Sequence, residues 1–298
     1  MKIKKYAAID IGSNAIRLLV ANIILKKGKD PLYQKSSLVR VPIRLGADAF
    51  VNGAISDENT KRLIDAIEAF KLLMSIHGVE KFKACATSAM RESSNGIAIA
   101  EEIYNITNVK IDIIDGKQEA AIISSTDLDE LINSDDSYLY VDVGGGSTEF
   151  TIFSRGKIVK SKSFKMGTVR LINNTKVENK AIFKNVEKWV KENTKGLKRL
   201  SLIGSGGNIN KLFKMSGRMP GKPLSYIFLN AQYQFLKNLS YHERISELSL
   251  NPDRADVIIP ATKIYLSAMK SSGARKIYVP KIGLADGIVK GLYQEKLK

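Results

Sequence analysis

Two stretches decide the reading of this chain: AAIDIGSNAIRLLVANIILKKGK (7–29) and LYVDVGGGSTEFTIFSRGK (139–157) follow one plan. Each opens with an apolar run ending in an aspartate, Asp10 or Asp142, followed by an aliphatic residue and a glycine, Gly12 or Gly144. A small or polar pair comes next, then a second apolar run that ends in a basic glycine turn at Gly28 or Gly156. The pattern predicts strand, tight turn, strand, turn and a third strand, the last over PLYQKSSLVRVPIR (31–44) in one copy and KIVKSKSFKM (157–166) in the other. Copies about 130 residues apart imply two related α/β domains with a cleft between them, a common place for a ligand. Three glycines between Asp142 and Ser147-Thr148-Glu149 are more than a hairpin turn requires.

Outward from these hairpins the chain alternates helix and strand. Ser56-Asp57 starts a helix in which Leu63, Ile64, Ile67, Phe70 and Met74 repeat at helical spacing up to Gly78. A strand at Lys81–Ala86 follows, then a loop carrying Arg91, a helix over Asn95–Tyr104, a strand at Val109–Ile114 and a helix from Lys117 to Ser125. The second half predicts helices at 168–174 and 178–194, a strand at Leu200–Ile203 and a glycine turn, Gly204–Gly207, that opens a helix near Asn208. Longer helices over 230–248 and 254–272, a strand at Lys276–Val279 and a last amphipathic helix over 284–296 complete it. The polar, acidic TDLDELINSDDS divides the chain into domains 1–127 and 128–298, with the last helix placed to pack back on the first.

At 298 residues, 44% hydrophobic and 26% charged, the chain can bury a core and is too apolar for disorder. No apolar run approaches the ~20 residues of a membrane-spanning helix, and no secretory pattern opens the chain, so a cytoplasmic location is expected. The single cysteine, Cys85, sits in an apolar stretch; it reads as a buried structural thiol and excludes an internal disulfide. A net charge of +17, with lysines thickening between Lys157 and Lys214, favours polyanionic partners. It does not by itself indicate nucleic acid, because no aromatic platform or helix-turn-helix pattern accompanies it.

The chemistry sits in the turns. A backbone with little side-chain bulk lets successive N–H groups point at phosphate oxygens, and Ser13, Asn14, Ser147 and Thr148 add donors to those of Gly144, Gly145 and Gly146. Asp10, Asp142 and Glu149 would repel an anion there unless they hold Mg²⁺ (or Mn²⁺) or orient a water, which points to phosphoryl chemistry rather than passive binding. Neither turn is a P-loop, and neither leads at once into a helix as a dinucleotide fingerprint would. His77 and His242 lie near the ends of predicted helices without the partners that zinc or serine-type catalysis needs.

The segments AAIDIGSNAIRLLV (7–20), ACATSAMRESSNG (84–96), IIDGKQEA (113–120), YVDVGGGSTEF (140–150), LIGSGGNINKL (202–212), NPDRADVIIPA (251–261) and IGLADGIVKGL (282–292) resemble, in this order, the exopolyphosphatase/guanosine-pentaphosphate phosphohydrolase family. The resemblance implies the duplicated actin-like (ribonuclease H-like) fold shared by actin, heat-shock chaperone ATPases and sugar kinases. Position by position it implies a first phosphate turn at Ser13 and Asn14, set by Arg17, and a phosphate-holding arginine at Arg91, whose five-donor fork suits the task. Glu119 matches the family's general base, Asp142 and Glu149 its metal- or water-positioning acids, and Gly144–Ser147 its second phosphate turn.

The implied activity is hydrolysis of the terminal phosphate of inorganic polyphosphate, with guanosine pentaphosphate as the alternative substrate. A sensor of either molecule and an acceptor kinase of the same superfamily are the remaining rivals. Asn208, Asn210 and Lys211 replace the small hydroxyl residues usual in relatives, so no nucleotide contact follows from that segment. Larger relatives continue into a helical domain that helps hold long substrates and build a dimer. This chain resembles the short, two-domain form, for which a homodimer stays open.

Overall fold

The computed structural model describes residues 1–124, 126 and 135–297, and in it both quoted stretches are antiparallel hairpins. The chain divides into two compact units, Met1–Thr126 with Ile282–Lys298, and Asp127–Lys281. The acidic boundary stretch of the sequence reading lies largely outside the described residues.

In the first unit β1 (Lys2–Ile11), β2 (Ile16–Leu25) and β3 (Leu32–Val41) form an antiparallel meander. Two helices follow, α1 (Leu45–Asn52) and α2 (Asp57–His77). β4 (Lys81–Ala86) then lies parallel to β1, and α3 (Ser88–Glu92) and α4 (Gly96–Thr107) lead to β5 (Ile111–Ile113), parallel to β4. Helix α5 (Gly116–Ser124) closes the run, and the sheet order is β3-β2-β1-β4-β5. β1 is the central strand, which is why Tyr6–Ile11 are buried without alternation. Leu63, Ile67, Phe70 and Met74 of α2 join Ile9, Leu18 and Val20 in one core.

The second unit opens with β6 (Ser137–Val143), β7 (Thr148–Ser154) and β8 (Lys157–Phe164), again an antiparallel meander. It continues through α6 (Thr168–Asn173), α7 (Lys176–Thr194), β9 (Leu200–Ser205) and α8 (Gly207–Met215). Next come β10 (Leu224–Ser225), α9 (Tyr226–Asn238), α10 (Tyr241–Ser246), α11 (Pro252–Ala255), α12 (Ile258–Ser272) and β11 (Lys276–Tyr278). The order β8-β7-β6-β9-β11 repeats that of the first sheet, with β10 added as an antiparallel edge. Two mixed sheets of one topology bear out the duplication read from the hairpin repeat and are the actin-like fold that the family resemblance implies.

The last helix, α13 (Leu284–Tyr293), belongs to the first unit, so the 128–298 reading of the second domain gives up its C-terminal segment. The Tyr293 ring lies tilted against Tyr6 at 6.4 Å and edge-on to Tyr33 at 5.9 Å, ring centre to ring centre. A Cβ on Gly287 would stand 2.2 Å from the Ile122 carbonyl, so α13 meets α5 at a distance only glycine permits.

Several expected elements differ. Helix α1 is absent from the sequence reading, and Arg91, expected in a loop, lies in α3. The expected helix 230–248 is two helices, because Ser240 and Glu243 form a capping box that starts α10. The expected helix 254–272 divides into α11, opened by Asn251-Pro252, and α12, whose Pro260 has no N–H to continue a helix from upstream. No helix among the described residues is long and apolar enough to cross a membrane.

Candidate active site

The two hairpin loops share their geometry. Gly12 N–H donates to the Ala15 carbonyl at 3.2 Å and Gly144 N–H to the Ser147 carbonyl at 3.0 Å. A Cβ at either glycine would come within 3.1 Å of the accepting oxygen, so space rather than a positive φ selects glycine. The helix after each third strand then grips its loop. Gly46 N–H of α1 bonds the Ser13 carbonyl at 2.8 Å; Thr168 and Val169 N–H of α6 bond the Gly144 and Gly145 carbonyls at 3.0 and 2.9 Å. Arg170 Nε adds a bond to the Gly146 carbonyl at 2.9 Å, and Gly167 lies so close that a Cβ would meet the Gly145 carbonyl oxygen at 2.2 Å. With the carbonyls committed to these helices, what the loops can offer an anion is their N–H groups.

The carboxylates differ between the copies. Asp10 is buried, and Arg17, directly opposite on β2, donates to it at 2.6 Å. At the equivalent cross-strand position the second copy has Glu149 opposite Asp142. Glu149 is 2% exposed and accepts hydroxyl bonds from Ser147 at 2.7 Å and Ser163 at 2.9 Å. Like charges directly opposite destabilise an antiparallel pair. A sheet that places two acids there, one of them buried and polarised by hydroxyls, offers the all-oxygen donor set of a hard divalent cation. Behind the pair, burial, then the charge of Asp142, holds the Tyr140 and Tyr265 phenols well above their ordinary range. Tyr140 donates to Ser205 Oγ at 2.7 Å and Tyr265 to the Ser205 carbonyl, which ties β6, β9 and α12 together beneath Asp142.

In the first unit Arg91 and Glu119 are joined through one loop. α3 is anchored where Thr87 N–H bonds the Ile11 carbonyl at 3.1 Å, next to the first hairpin loop. From α3, Arg91 Nη1 donates to the Ile114 carbonyl at 2.6 Å. The next residue, Asp115, caps α5: its carboxylate accepts from Lys117 and Gln118 N–H at 2.8 Å, and its own N–H donates to Gln118 Oε1 at 2.9 Å. The Gln118 N–H, with Lys117 N–H and the Arg91 charge, holds the Asp115 carboxyl below its usual range. Glu119 follows in the first turn of α5, partly buried, its N–H on the Asp115 carbonyl at 2.9 Å.

Three hydroxyls expected as phosphate donors turn inward. Ser13, 2% exposed, pairs its Oγ with Ser88 Oγ at 3.0 Å; Thr148, fully buried, donates to the Met166 carbonyl; Ser147 serves Glu149. Each lies where a strand enters or leaves the sheet interior, and a buried hydroxyl must find a partner. Asn14 and Gly144 are less buried than these. Sequence reasoning missed Ser88, Ser163, Gly167 and Arg170; the Lys-Ser alternation of β8 was the one signal available for Ser163. Cys85 is fully buried, and burial pushes its thiol up to about 12. His77 ends α2 and His242 lies exposed in the first turn of α10.

The family model of the Ppx/GppA phosphatase family matches residues 37–296. The chain belongs to that family. It is 31% identical over 287 residues to the bifunctional 3-dehydroquinate synthase/phosphatase of Fusobacterium nucleatum, covering 87% of this chain but only 42% of that protein. It is 25% identical over 319 aligned positions to exopolyphosphatase 2 of Mycobacterium tuberculosis, covering 98% of this chain and 99% of the relative. Among solved structures, an exopolyphosphatase from Cytophaga hutchinsonii superposes with a TM-score of 0.86 at 23% identity over 98% of each chain, a likeness of fold.

Proposed function

We propose that this member of the Ppx/GppA family is a phosphoanhydride hydrolase that removes the terminal phosphate of inorganic polyphosphate. The observation that carries the reading is the acid pair Asp142 and Glu149, set opposite each other beside a glycine loop whose N–H groups suit phosphate oxygens. Those two residues would hold Mg²⁺ or Mn²⁺, which when bound neutralises charge on the phosphate oxygens. Asp10, which the sequence reading grouped with them, differs from the pair in that Arg17 bonds its carboxylate across the hairpin.

Catalysis of phosphoryl transfer is mostly positioning and charge neutralisation. The amides of Ser13 and Asn14 and those of Gly145 and Gly146 would hold phosphate oxygens. Arg91 has one guanidinium nitrogen on the Ile114 carbonyl and the rest of its fork to offer the terminal phosphate. Glu119 takes a proton from the attacking water; the water oxygen bonds to the terminal phosphorus while the bridging P–O bond breaks. The shortened chain leaves as the anion, and orthophosphate is released. The +17 charge supports a long polyanion as substrate.

The test is Glu119→Gln, assayed by phosphate release and by polyphosphate binding. Turnover should fall by roughly 10²–10⁴ with binding retained. Near-normal turnover removes Glu119 from the mechanism.

A further inference from the structure

We propose that the outward face of α7 is a track for the trailing part of a linear inorganic polyphosphate chain. The substrate class rests on the preceding subsection; the place rests on α7 itself. Lys176, Lys180, Lys184, Lys188, Lys191 and Lys195 are all exposed. At ~100° per residue the five within α7, Lys176 to Lys191, share an arc about 120° wide, and the first four recur every ~6 Å along a helix ~28 Å long, with Lys195 at its C-cap. The other side of α7 is committed to the core through Phe183, Val186, Trp189 and Val190, with Trp189 edge-on to Phe150 and Phe164.

This arrangement works against the helix that carries it. Like charges four residues apart repel, and Lys176 and Lys180 occupy the end where the helix dipole is itself positive. The acids of α7 give little relief. Glu178 closes the capping box with Thr175, Glu187 accepts from Ser267 Oγ at 3.1 Å, and Glu192 reaches Lys188 only at 3.9 Å. α12 adds another cation, Lys263, whose Nζ stands 4.6 Å over the Phe183 ring. A lysine-rich composition alone would load every helix alike. Helix α2, 21 residues long, instead mixes Lys61, Arg62 and Lys71 with Asp57, Glu58, Asp65 and Glu68.

The row also begins at a useful place. α6, whose first N–H groups grip the Gly144–Gly145 loop, ends at Asn173, and α7 starts at Lys176. Only Asn174 and Thr175 separate the two helices, so along the chain the lysine row begins directly after the helix that grips the loop. Polyphosphate carries one negative charge per phosphate, repeated more closely than the lysines, so it can satisfy each of them. A single-stranded nucleic acid would want aromatic faces for its bases, and both aromatic residues of α7, Phe183 and Trp189, are buried.

The experiment replaces Lys180, Lys184, Lys188 and Lys191 together by Gln, with the same four as Arg for rescue. In the Glu119→Gln background, binding of long-chain polyphosphate should weaken at least tenfold. The slope of log affinity against log salt should fall by about 3–4, and the Arg set should restore both. In the active enzyme the KM for long chains should rise more than tenfold relative to that for tripolyphosphate. Unchanged affinity and slope overturn the proposal, as does lysine-dependent binding of single-stranded RNA as tight as that of polyphosphate at the same salt. Lysine-dependent polyphosphate binding by a protein that releases no phosphate would support the track and refute the hydrolase reading.

Discussion

Glu149→Gln separates electrostatic strain from cation binding. Residues directly opposite in an antiparallel pair have Cβ atoms ~5 Å apart, and two unit charges at that distance repel by about 3 kcal/mol at an effective dielectric near 20, as a ceiling. Hydroxyls of Ser147 and Ser163 spread the Glu149 charge, so the net relief should be closer to ~1 kcal/mol, the scale measured for cross-strand pairs. The amide oxygen of Gln can accept the same two bonds, which leaves charge as the main change. In EDTA the variant should therefore melt ~2–4 °C higher in the transition of the second unit. With Mg²⁺ at ~100 times its dissociation constant the parent protein should gain about 2.7 kcal/mol and the variant much less, so the order of stability inverts. Calorimetry with and without Mg²⁺ reads both effects. A variant that melts lower in EDTA, or that keeps the full Mg²⁺ gain, refutes the reasoning that the acid pair is held apart for a cation.

Gly167→Ala would drive a Cβ to 2.2 Å from the Gly145 carbonyl oxygen, so it should destabilise by roughly 1–3 kcal/mol and depress phosphate release, checked by melting and activity together. Asp48 is pulled up by partial burial, but bonds from Ser56 Oγ, Asn59 and Ser56 N–H outweigh that and hold its folded carboxyl below 3.8. Its contribution is thus present above the unfolded value and lost as pH falls through the folded one; Asp48→Asn should flatten the decline in urea midpoint from about pH 5 to about pH 3. Cys85, with its thiol near 12, should resist thiol reagents at about pH 8 in the native protein and react fully once denatured.

The hairpin repeat was legible because an apolar strand ending in Asp, then an aliphatic residue and a glycine, is a local pattern that demands a local geometry. Helix α1 was not: its N-cap residue, Arg44, has a left-handed φ of 63° and no capping bond from its side chain. What starts α1 is the tertiary bond from Gly46 N–H to the Ser13 carbonyl, which no local pattern announces. The break between α9 and α10 was readable in Ser240-x-x-Glu243, a capping box overridden by the apolar spacing on either side. At the site, residue types marked the loops and acids, but the direction of a side chain depends on the sheet it enters. Ser13 and Thr148 look like donors to phosphate in sequence, yet in space their hydroxyls bond within the fold, Ser13 with Ser88 and Thr148 to the Met166 carbonyl. The contrast between Asp10 with Arg17 and Asp142 with Glu149 could have been read by aligning the two copies and pairing each strand across its own turn.

Phosphate release in Mg²⁺ by the purified protein, comparing long-chain polyphosphate, guanosine pentaphosphate and ATP side by side with Glu119→Gln as blank, tests the central claim most directly. The account predicts metal-dependent release from polyphosphate well above the other two, abolished in the blank. Preferential release from guanosine pentaphosphate, or release from none of the three, would contradict it.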